Sequence, residues 1–475
     1  MSNVDWQGKH VTVAGLGVSG IPAARVLHGL GALVTVVNDG DDERSRIQAA
    51  ELEALGITVR LGDGATLPES TELIVTAPGW KPDKPLFLAA AEADVPVWGD
   101  VELAWRLRGL DGRKPAPWLA VTGTNGKTTT VRMLASILEA AGLRTAAVGN
   151  IGVSLLDAVL DEKPYDVLAV ELSSYQLHWA PSVRAHSAAV LNLAPDHIDW
   201  HGSMEAYVAD KGRVYEGNTV ACVYNVADPA TEDLVREADV EEGCRAIGFT
   251  LATPGPSQLG VVDGILVDRA FVANRQKQAQ ELAEVGDIDP PAPHNIANAL
   301  AAAALARAFG VEPTAVRDGL RAFRPDPHRI EHVADIASVA YIDDSKATNT
   351  HAAEASLAAY DPIVWIAGGL AKGATFDELV SGAAKRLRGV VLMGADRQLI
   401  REALARHAPE VPVVDLARTD TGAMSEAVRE AAELARPGDT VLLAPACASM
   451  DMFVNYNKRG EAFADAVRTL AAESA

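Results

Sequence analysis

The chain has 475 residues, 48% of them hydrophobic and 22% charged, which are ordinary values for a globular protein. Its 42 lysine and arginine residues and 64 aspartate and glutamate residues give a formal net charge of −22. Nucleic acid and anionic membrane surfaces repel such a chain and are excluded as expected partners. At roughly 150 residues per domain, the length predicts about three domains.

The cysteines and the apolar runs indicate the compartment. Cys222, Cys244 and Cys447 are scattered, and their spacing matches neither a disulfide framework nor a zinc site, which suits a reducing cytosol. The first residues are polar and form no signal-peptide core, and no run of about 18 apolar residues predicts a membrane span. We therefore expect a cytoplasmic protein.

Residues 1–112 alternate short apolar segments with helical patterns. Strands are predicted at His10–Gly15, Leu33–Asn38, Ile57–Leu61 and Glu72–Ala77, with one helix ending near Leu30 and another at Glu43–Leu55. This alternation is typical of a parallel sheet with right-handed crossovers. The first domain is therefore predicted to be α/β and Rossmann-like.

Residues 113–325 form the predicted central domain. Gly109–Pro117, rich in glycine, proline and charge, is interpreted as the linker that leads into it. Nearly continuous apolar strands, typical of a sheet covered on both faces, are predicted at Leu119–Thr122, Asp166–Leu172, Ser187–Leu193 and Thr219–Asn225. Residues 254–293 are irregular, with short β-like pieces, and a helix follows from His294.

Residues 326–475 form the predicted C-terminal domain. Two prolines within Phe323–Arg329 end helices and mark a second linker. Strands are predicted at Val339–Asp343, Ile363–Ala367, Val390–Met393 and Thr440–Ala444. With helices between them, they predict a second Rossmann-like domain.

The segment Ala120–Thr130, AVTGTNGKTTT, runs from an apolar strand through a glycine-rich turn into a helix. Glycines let the backbone approach an anion, helix N-terminal amides point at it, and Lys127 can neutralise outer phosphates. Thr128 offers a hydroxyl to Mg²⁺. Only two residues separate Gly123 from Gly126, where the general pattern has four, so the loop is a variant. We interpret it as the phosphate loop of a P-loop ATPase-like domain with a parallel or mixed sheet; a glycine turn that only opens a helix is the alternative.

A second glycine-rich turn, GLGVSG at Gly15–Gly20, also lies between a predicted strand and a helix. It resembles a dinucleotide-binding fingerprint, but Asn38 and Asp39, about 20 residues on, match the expected ribose-binding acid only in part. Because a helix N-terminus accepts any diphosphate, the turn indicates a nucleotide diphosphate rather than NAD. A purely structural turn remains the alternative.

Acidic residues and histidines follow the predicted strands of the central domain. Glu171 ends the strand DVLAVEL, where ligands bind in open α/β sheets, and a carboxylate there suits Mg²⁺. The segment NLAPDHIDWHG adds Asp196, His197, Asp199 and His201. A single histidine is usually structural, but a cluster beside a phosphate loop gives a functional role equal weight.

Polar side chains also follow the strands of the third section. They are Asp344, Lys346 and Thr348 in DDSKATN, Lys372 after a Gly-Gly turn, and Ser449. Any one of them can be explained by the residue preferences of turns, but together they predict one sheet edge lined with polar groups.

Lys211, in the central domain, lies in a predicted helix, and its residue type alone predicts a solvated surface lysine.

Six motifs occur in an order that resembles one known family. They are GTNGKTT, ELSSYQL, DHIDWHG, HNIANALAA, PHR and DDSKATN. Over essentially the whole chain they resemble the Mur ligases, with folylpolyglutamate synthase as a more distant relative. GLGVSG, DDSKATN and APACASMDMF resemble in particular the members that add D-glutamate to UDP-N-acetylmuramoyl-L-alanine in peptidoglycan precursor synthesis. One departure is Pro-Ala-Pro before His294, where the family commonly has a glycine.

The resemblance implies an activity and its cofactors. The first domain would bind the UDP of the substrate, the second would bind ATP, and the third would close over D-glutamate. The γ-phosphoryl group of ATP would pass to the alanyl carboxylate, and the acyl phosphate would then form the amide and release phosphate. Two Mg²⁺ ions would be held by Thr128, Glu171, His197 and Lys211. Lys211 would be carbamylated, whereas its residue type alone predicts a solvated surface lysine. The partners would be these small molecules, and the protein would be a monomer.

The resemblance also implies roles for individual residues. Catalytic roles fall to Lys127, Glu171, His197, Lys211 and Arg329. The ATP contacts are Gly123, Thr124, Asn125, Gly126, Lys127, Thr128, Thr129, Asn298, Arg329 and Asp344. The substrate contacts are Val18, Ser19, Asn38, Asp39, Gly79, Asn150, Ser173, Gln176, Lys346, Thr348, Lys372, Ser449 and Tyr456.

Two other classes of protein remain as alternatives. A dehydrogenase would rest on GLGVSG alone and leaves the lysine loop, Glu171 and DDSKATN unexplained. A non-catalytic P-loop regulator would change conformation with nucleotide and form no product. Within the ligases, the rival is a sibling that adds a different amino acid.

Overall fold

The computed structural model describes residues 4–418 and 420–474, and its strands form three sheets of five, nine and six strands. The sheets follow one another along the chain and fall within the three predicted domains, so the α/β fold class is confirmed. Short 3₁₀ helices lie at Leu110–Gly112, Arg213–Tyr215, Val285–Asp287 and Ala384–Arg386. Within the described residues, every helix is too short or too polar to cross a membrane.

The first sheet is parallel throughout, in the order β3-β2-β1-β4-β5. Its strands are His10–Ala14 (β1), Leu33–Asn38 (β2), Thr58–Leu61 (β3), Leu73–Thr76 (β4) and Val97–Gly99 (β5), and its helices are Gly20–Gly29 (α1), Glu43–Glu53 (α2), Pro85–Glu92 (α3) and Asp100–Leu107 (α4). A side chain at Gly20 would lie 1.9 Å from the carbonyl oxygen of Gly15. The GLGVSG turn between β1 and α1 therefore requires glycine at this position.

The second sheet is mixed, in the order β14-β13-β12-β11-β10-β9-β6-β8-β7. Its strands are Trp118–Thr122 (β6), Ala147–Gly149 (β7), Leu168–Glu171 (β8), Ser187–Val190 (β9), Ala221–Asn225 (β10), Arg245–Phe249 (β11), Gln258–Val262 (β12), Ile265–Asp268 (β13) and Gln280–Glu284 (β14). Strands β6 to β12 pair in parallel, and β13 and β14 continue the sheet antiparallel. Its helices are Lys127–Ala140 (α5), Leu155–Leu160 (α6), Ser174–His178 (α7), Ile198–His201 (α8), Met204–Gly212 (α9), Pro229–Glu237 (α10), Pro293–Ala308 (α11) and Pro313–Ala322 (α12).

The third sheet has the order β15-β16-β20-β17-β18-β19. Its strands are Glu331–Ile336 (β15), Val339–Asp343 (β16), Ile363–Ala367 (β17), Leu387–Leu392 (β18), Val413–Asp415 (β19) and Thr440–Leu443 (β20). All pair in parallel except β15, which is an antiparallel edge strand. Its helices are Thr350–Leu357 (α13), Asp377–Ala383 (α14), Arg397–His407 (α15), Ala423–Leu434 (α16) and Tyr456–Ser474 (α17).

The internal contacts divide the chain into two bodies. The first body contains the first two sheets and comprises the chain up to Ile288 together with Ile296–Phe323. The second body contains the third sheet and comprises Asp289–Asn295 and the chain from Arg324 onwards. The predicted boundary after residue 112 lies inside the first body, so the division into domains 1–112, 113–325 and 326–475 stays a prediction.

Buried contacts join the first two sheets within the first body. The rings of Phe87 and Trp179 lie 4.9 Å apart, and the backbone N–H of Gly99 donates to the carbonyl of Trp179 at 2.8 Å. Glu102 is fully buried and accepts a hydrogen bond from the backbone N–H of Ser182 at 3.0 Å. The predicted linker Gly109–Pro117 therefore connects two α/β units whose helices and loops are in contact.

The strand predictions succeeded where the apolar pattern is long and clear. Leu33–Asn38, Val339–Asp343 and Ile363–Ala367 are strands with the predicted bounds, and the irregular residues 254–293 do contain short strands. The sequence analysis missed β5, β7, β11, β15 and β19, and two of them show different reasons. Strand β7 has only three residues, and β15, EHVADI, is polar and half exposed because it lies at an edge.

Helices α5 and α12 pack so closely that a side chain at Gly319 would lie 2.4 Å from the Cα atom of Ile137. We expect Gly319→Ala to lower the free energy of unfolding by about 1–3 kcal/mol, because backbone must move to make room. Gly29→Ala is the control, since a side chain there meets open space at the end of α1, and its effect should be within about 1 kcal/mol and favourable. Urea unfolding followed by circular dichroism measures both; equal stability of the two variants would contradict this packing.

Candidate active site

The glycine loop Gly123–Gly126 is held against the turn that follows β9. Asn125 N–H donates to Asn192 Oδ1 at 2.9 Å, and Asn192 Nδ2 donates back to the Asn125 carbonyl at 3.1 Å. Thr124 N–H donates to the Asn192 carbonyl at 2.9 Å, and the Thr124 hydroxyl lies 2.9 Å from the Tyr207 hydroxyl. The loop is therefore fixed by protein contacts alone. The sequence analysis did not single out Asn192 or Tyr207, because neither stands in a phosphate-loop pattern.

The loop presents positive charge at the start of α5. Gly126 has a φ of 84°, and a side chain there would lie 2.4 Å from Asn298 Oδ1, so the position requires glycine. Lys127 begins α5, and its Nζ donates to the carbonyls of Gly123 and Thr124, both at 2.8 Å. The lysine and the amides of the first helical turn together form an anion-binding arrangement.

Glu171 is the last residue of β8 and is 1% exposed. Its Oε1 accepts a hydrogen bond from Asn150 Nδ2 at 2.9 Å, whereas Oε2 is buried with no hydrogen-bond partner among the described residues. A buried carboxylate oxygen without a partner is costly unless a cation binds it. This oxygen fits Mg²⁺, which prefers hard oxygen ligands, and the half-buried Thr128 adds a hydroxyl at the same sheet edge.

The prediction from residue type alone that Lys211 is solvated is wrong. Its side chain is 2% exposed, and Nζ donates to the Gly123 carbonyl at 2.8 Å. Burial, and after it the charge of Lys127, lowers the pKa of Lys211 well below its ordinary value, while Asp196 and Glu171 oppose this. The expectation failed because α9 packs this side chain against the glycine loop instead of solvent.

His197 lies in the turn after β9 with a left-handed backbone, φ 56°. Its ring centroid is 4.8 Å from that of Tyr175, and Nε2 is 3.5 Å from Asp196 Oδ2. Desolvation lowers the pKa of His197, and Asp196 offsets part of that shift. The neutral ring, the form that ligates metal ions, is therefore favoured. His201 differs, because its Nδ1 is 3.0 Å from Asp210 Oδ2 in a buried polar network.

These groups meet at one edge of the second sheet. The glycine loop follows β6, Glu171 ends β8, and His197 lies beyond β9, and both β8 and β9 pair in parallel with β6. Because neighbouring parallel strands end at the same edge, the segments predicted to bind phosphate and Mg²⁺ are adjacent. Lys127 also affects the pKa of both Lys211 and His197. The predicted cluster thus exists, and the ligand roles within it stay predictions.

The residues predicted to contact UDP lie near the carboxyl ends of the strands in the first sheet. Val18 is 90% exposed in the turn before α1. The Asn38 side chain accepts a hydrogen bond from the backbone N–H of Leu16 at 3.2 Å and so stabilises the same turn. Asp39 forms an ion pair with Lys84. The exposed turn leaves room for a ligand, whereas the Asn38 side chain also stabilises the fold by its hydrogen bond to this turn.

Several other predicted substrate contacts are engaged within the protein. Ser19 Oγ donates to Asp100 Oδ2 at 2.9 Å, and burial raises the pKa of Asp100. Ser173 and Gln176 form the capping box of α7, in which Gln176 N–H donates to Ser173 Oγ at 3.2 Å. The Gly79 carbonyl accepts a hydrogen bond from the indole Nε1 of Trp200 in α8 at 3.2 Å. Substrate contact stays a prediction for these residues.

In the second body, the residues predicted for D-glutamate follow the parallel strands β16, β17 and β20. Lys346 Nζ lies 4.1 Å from the ring centroid of Tyr456, and Lys372 is exposed with a φ of 51°. Ser449 is buried and Thr348 is half-buried. Their strands end at one edge of the sheet, so the predicted polar edge is present.

Asp344 and Arg329 are also close in this body. The Ser356 hydroxyl donates to the Asp344 carboxylate. Burial raises the pKa of Asp344 to about 6, although Ser356 and Arg329 oppose this shift. Arg329 Nε itself lies 3.8 Å from Asp326 Oδ2. A buried acid beside an arginine suits a site that handles charged groups.

Two buried side chains that the sequence analysis did not choose hold the DDSKATN turn. His328 Nδ1 lies 2.7 Å from Asp343 Oδ2, and Ser345 N–H donates to Asp343 Oδ1 at 2.9 Å. Arg459 is 1% exposed, and its guanidinium donates to the carbonyls of Ser345 at 2.8 Å and Cys447 at 3.0 Å. The PHR motif could have indicated His328. Arg459 carried no such signal, because a basic residue in a helix is usually exposed.

Comparison with known families gives matches to both bodies of the chain. The Mur ligase middle domain matches residues 121–306, and the Mur ligase glutamate ligase domain matches residues 328–447. The chain belongs to the Mur ligase family. It is 85% identical to the UDP-N-acetylmuramoylalanine--D-glutamate ligase of Streptomyces coelicolor, over 98% of this chain and 99% of that protein. It is 60% identical to the protein of the same name from Thermobifida fusca, over 98% of this chain and 100% of that protein.

Solved structures of more distant proteins share the fold. MurF from Acinetobacter baumannii superposes with a TM-score of 0.59 at 15% identity, covering 96% of this chain and 93% of that one. MurF ligase from Thermotoga maritima, in complex with ADP, gives a TM-score of 0.57 at 18% identity, covering 98% and 96%. At these identities the likeness shows the α/β architecture alone.

We expect Lys127→Ala to lower ATP-dependent formation of ADP by about 10²–10³-fold, because it removes the cation that the glycine loop presents to phosphates. The fold should persist, since the contacts of Thr124 and Asn125 with Asn192 hold the loop without the lysine. Lys163→Ala, at an exposed lysine of the same body, is the control and should retain full turnover. A folded Lys127 variant with near-normal turnover would refute the role of the loop.

Proposed function

We propose that this chain is an ATP-dependent ligase that joins D-glutamate to UDP-N-acetylmuramoyl-L-alanine through an amide bond and releases ADP and phosphate. The observation that carries the proposal is 85% identity, over 98% of the chain, to a ligase of that name. The site adds a chemical reason, because a lysine-bearing glycine loop lies beside a buried carboxylate with an unpartnered oxygen. These are the groups that phosphoryl transfer to a carboxylate needs.

The reaction has an electrostatic obstacle. A carboxylate is a poor acyl donor, because oxide is a poor leaving group, so its phosphorylation by ATP must come first. For this phosphorylation, the anionic carboxylate of the substrate has to approach the negatively charged triphosphate of ATP. Lys127 and the amides of α5 lower this repulsion, and Arg329 would add a further cation. Mg²⁺, held by Glu171 and His197 with Thr128, would supply charge neutralisation at the phosphates.

Lys211 is proposed to carry a carbamate. Its lowered pKa, caused by burial and by the charge of Lys127, favours the neutral, nucleophilic form of the amine. Attack of the nitrogen on CO₂ forms an N–C bond, moves the electrons of one C=O π bond onto oxygen, and breaks one N–H bond with release of the proton to solvent. The product is an anion, which Lys127 attracts instead of repelling, and it offers oxygen ligands to a second Mg²⁺ ion.

The two remaining substrate sites are assigned to the other sheets. The polar edge of the third sheet, with Lys346, Lys372 and Ser449, would meet the carboxylates of D-glutamate. The exposed turn at Val18 would receive the uridine diphosphate, whose charge suits the N-terminus of α1. We also propose a cytoplasmic monomer, in keeping with free thiols at Cys222, Cys244 and Cys447.

The amino-acid specificity is tested by phosphate release. With UDP-N-acetylmuramoyl-L-alanine, ATP and Mg²⁺, D-glutamate should support turnover, and a panel of other D- and L-amino acids should be at least about a hundredfold less effective. The reason is that an unmatched side chain leaves buried polar groups without partners. A higher rate with another amino acid would indicate a sibling ligase. Nucleotide binding without phosphate release would indicate a regulator, and quenching of tryptophan fluorescence by NAD(H) would favour a dehydrogenase.

We expect Lys211→Ala to lower turnover by about a hundredfold or more and to be partly rescued by acetate or formate, which supply the missing carboxylate. Lys163→Ala should neither lose activity nor respond to these anions. Carbon-13 NMR of wild-type protein equilibrated with labelled CO₂ should show one carbamate signal, absent from the Lys211 variant. A folded variant that is fully active without rescue would end the carbamate proposal.

A further inference from the structure

A second cationic region lies at the opposite edge of the second sheet. Here a cleft of about 590 Å³ has a lining that includes Arg245, Phe271, Arg275, Arg307, Gly310 and Glu312. Arg245 begins β11, which continues the parallel array of β10, β9 and β6. The cleft therefore lies at the amino edge of these strands, whereas the glycine loop lies at their carboxyl edge. We call it the arginine cleft, and it shares no residue with the proposed active site.

The positive charge of the arginine cleft is only partly neutralised. Arg307 Nε forms an ion pair with Asp268 Oδ2 at 3.0 Å. Within the described part of the chain, Arg245 and Arg275 have no carboxylate at ion-pair distance. Arg245 Nη2 donates instead to a backbone carbonyl at 2.6 Å, and Arg275 Nη1 donates to a serine hydroxyl at 3.0 Å. Glu312 is the acidic residue of the lining.

The two arginines line the same cleft, and their like charges repel each other. Desolvation, and then the charge of Arg275, lowers the pKa of Arg245, and Asp268 opposes these effects. The Arg245 guanidinium also lies 5.0 Å from the ring centroid of Phe271, which limits its freedom to turn into solvent. A chain with a net charge of −22 has acidic residues in excess, yet it holds these two cations together. A bound anion would relieve their repulsion.

We propose that the arginine cleft binds a small molecule that carries a multiply charged phosphate group, recognised by Arg245 and Arg275. Guanidinium groups match phosphate oxygens with paired hydrogen bonds and keep their charge at any physiological pH. The volume lies in the range of about 300–1,000 Å³ that is typical of small-molecule sites. The cleft therefore has room for an organic part beside the phosphate, and it is separate from the sites assigned to the substrates of the proposed ligase.

Isothermal titration calorimetry with pyrophosphate tests the proposal on the full-length protein. ADP and UDP-N-acetylmuramoyl-L-alanine are kept saturating in metal-free buffer, so that the glycine loop and the uridine diphosphate site are occupied. One pyrophosphate should bind per chain, and Arg245→Gln with Arg275→Gln should weaken binding at least about tenfold. Arg275→Gln alone, in an exposed loop, should weaken it in the same direction if the double variant is unstable. Unchanged ADP affinity shows that each variant is folded.

The control is a second double variant that removes two positive charges, as the test variant does, but elsewhere in the first body. Arg25 and Arg236 are exposed and pair with Glu51 and Glu232, so Arg25→Gln with Arg236→Gln should leave pyrophosphate binding unchanged. Absence of saturable binding to the wild-type protein, or equal loss in both double variants, would overturn the proposal. Tighter binding of citrate than of pyrophosphate would overturn the assignment to phosphate. None of these results bears on the ligase assay, which is measured separately.

Discussion

The proposed active site depends on one buried contact, the hydrogen bond from Lys211 Nζ to the Gly123 carbonyl. An amine at this position is cut off from water and lies within the field of Lys127, so its charged form is disfavoured. Close by, Glu171 has a buried oxygen with no hydrogen-bond partner among the described residues. Each feature alone would destabilise the fold. The proposed carbamate on the lysine, together with Mg²⁺, would resolve both, which is why the unfavourable arrangement supports the proposed function.

Parallel strands are the reason that these groups meet. The glycine loop, Glu171 and His197 are separated in sequence but follow or end neighbouring strands β6, β8 and β9. The first and third sheets repeat the principle, with an exposed glycine turn after β1 and polar turns after β16, β17 and β20. Each sheet therefore offers one polar edge, as open α/β sheets generally do. A dehydrogenase would use only the first of these edges, whereas the proposed ligase would use all three.

The second sheet concentrates positive charge at both of its edges, although the chain as a whole is acidic. At the carboxyl edge, Lys127 is placed by its own loop and contacts two carbonyls of that loop. At the amino edge, Arg245 comes from β11 and Arg275 from a distant loop, and no sequence motif predicts that they line one cleft. Local cations would thus allow phosphate to bind where the net charge opposes it, as the composition implies.

The sequence by itself determined the features that are local. Backbone conformation requires glycine at positions 123 and 126, and burial on both faces requires strands with continuous apolar residues, so short segments reveal both. The lysine that follows the glycines belongs to the same short motif. Only the tertiary structure decided the environment of Lys211 and Arg459. Their residue types predict exposure to solvent, but packing buries both side chains. The tertiary structure also decided the surroundings of Asn192, Tyr207 and the arginine cleft. Their contacts join residues far apart in the chain, and periodicity within one helix or strand carries no information about the element that will pack against it.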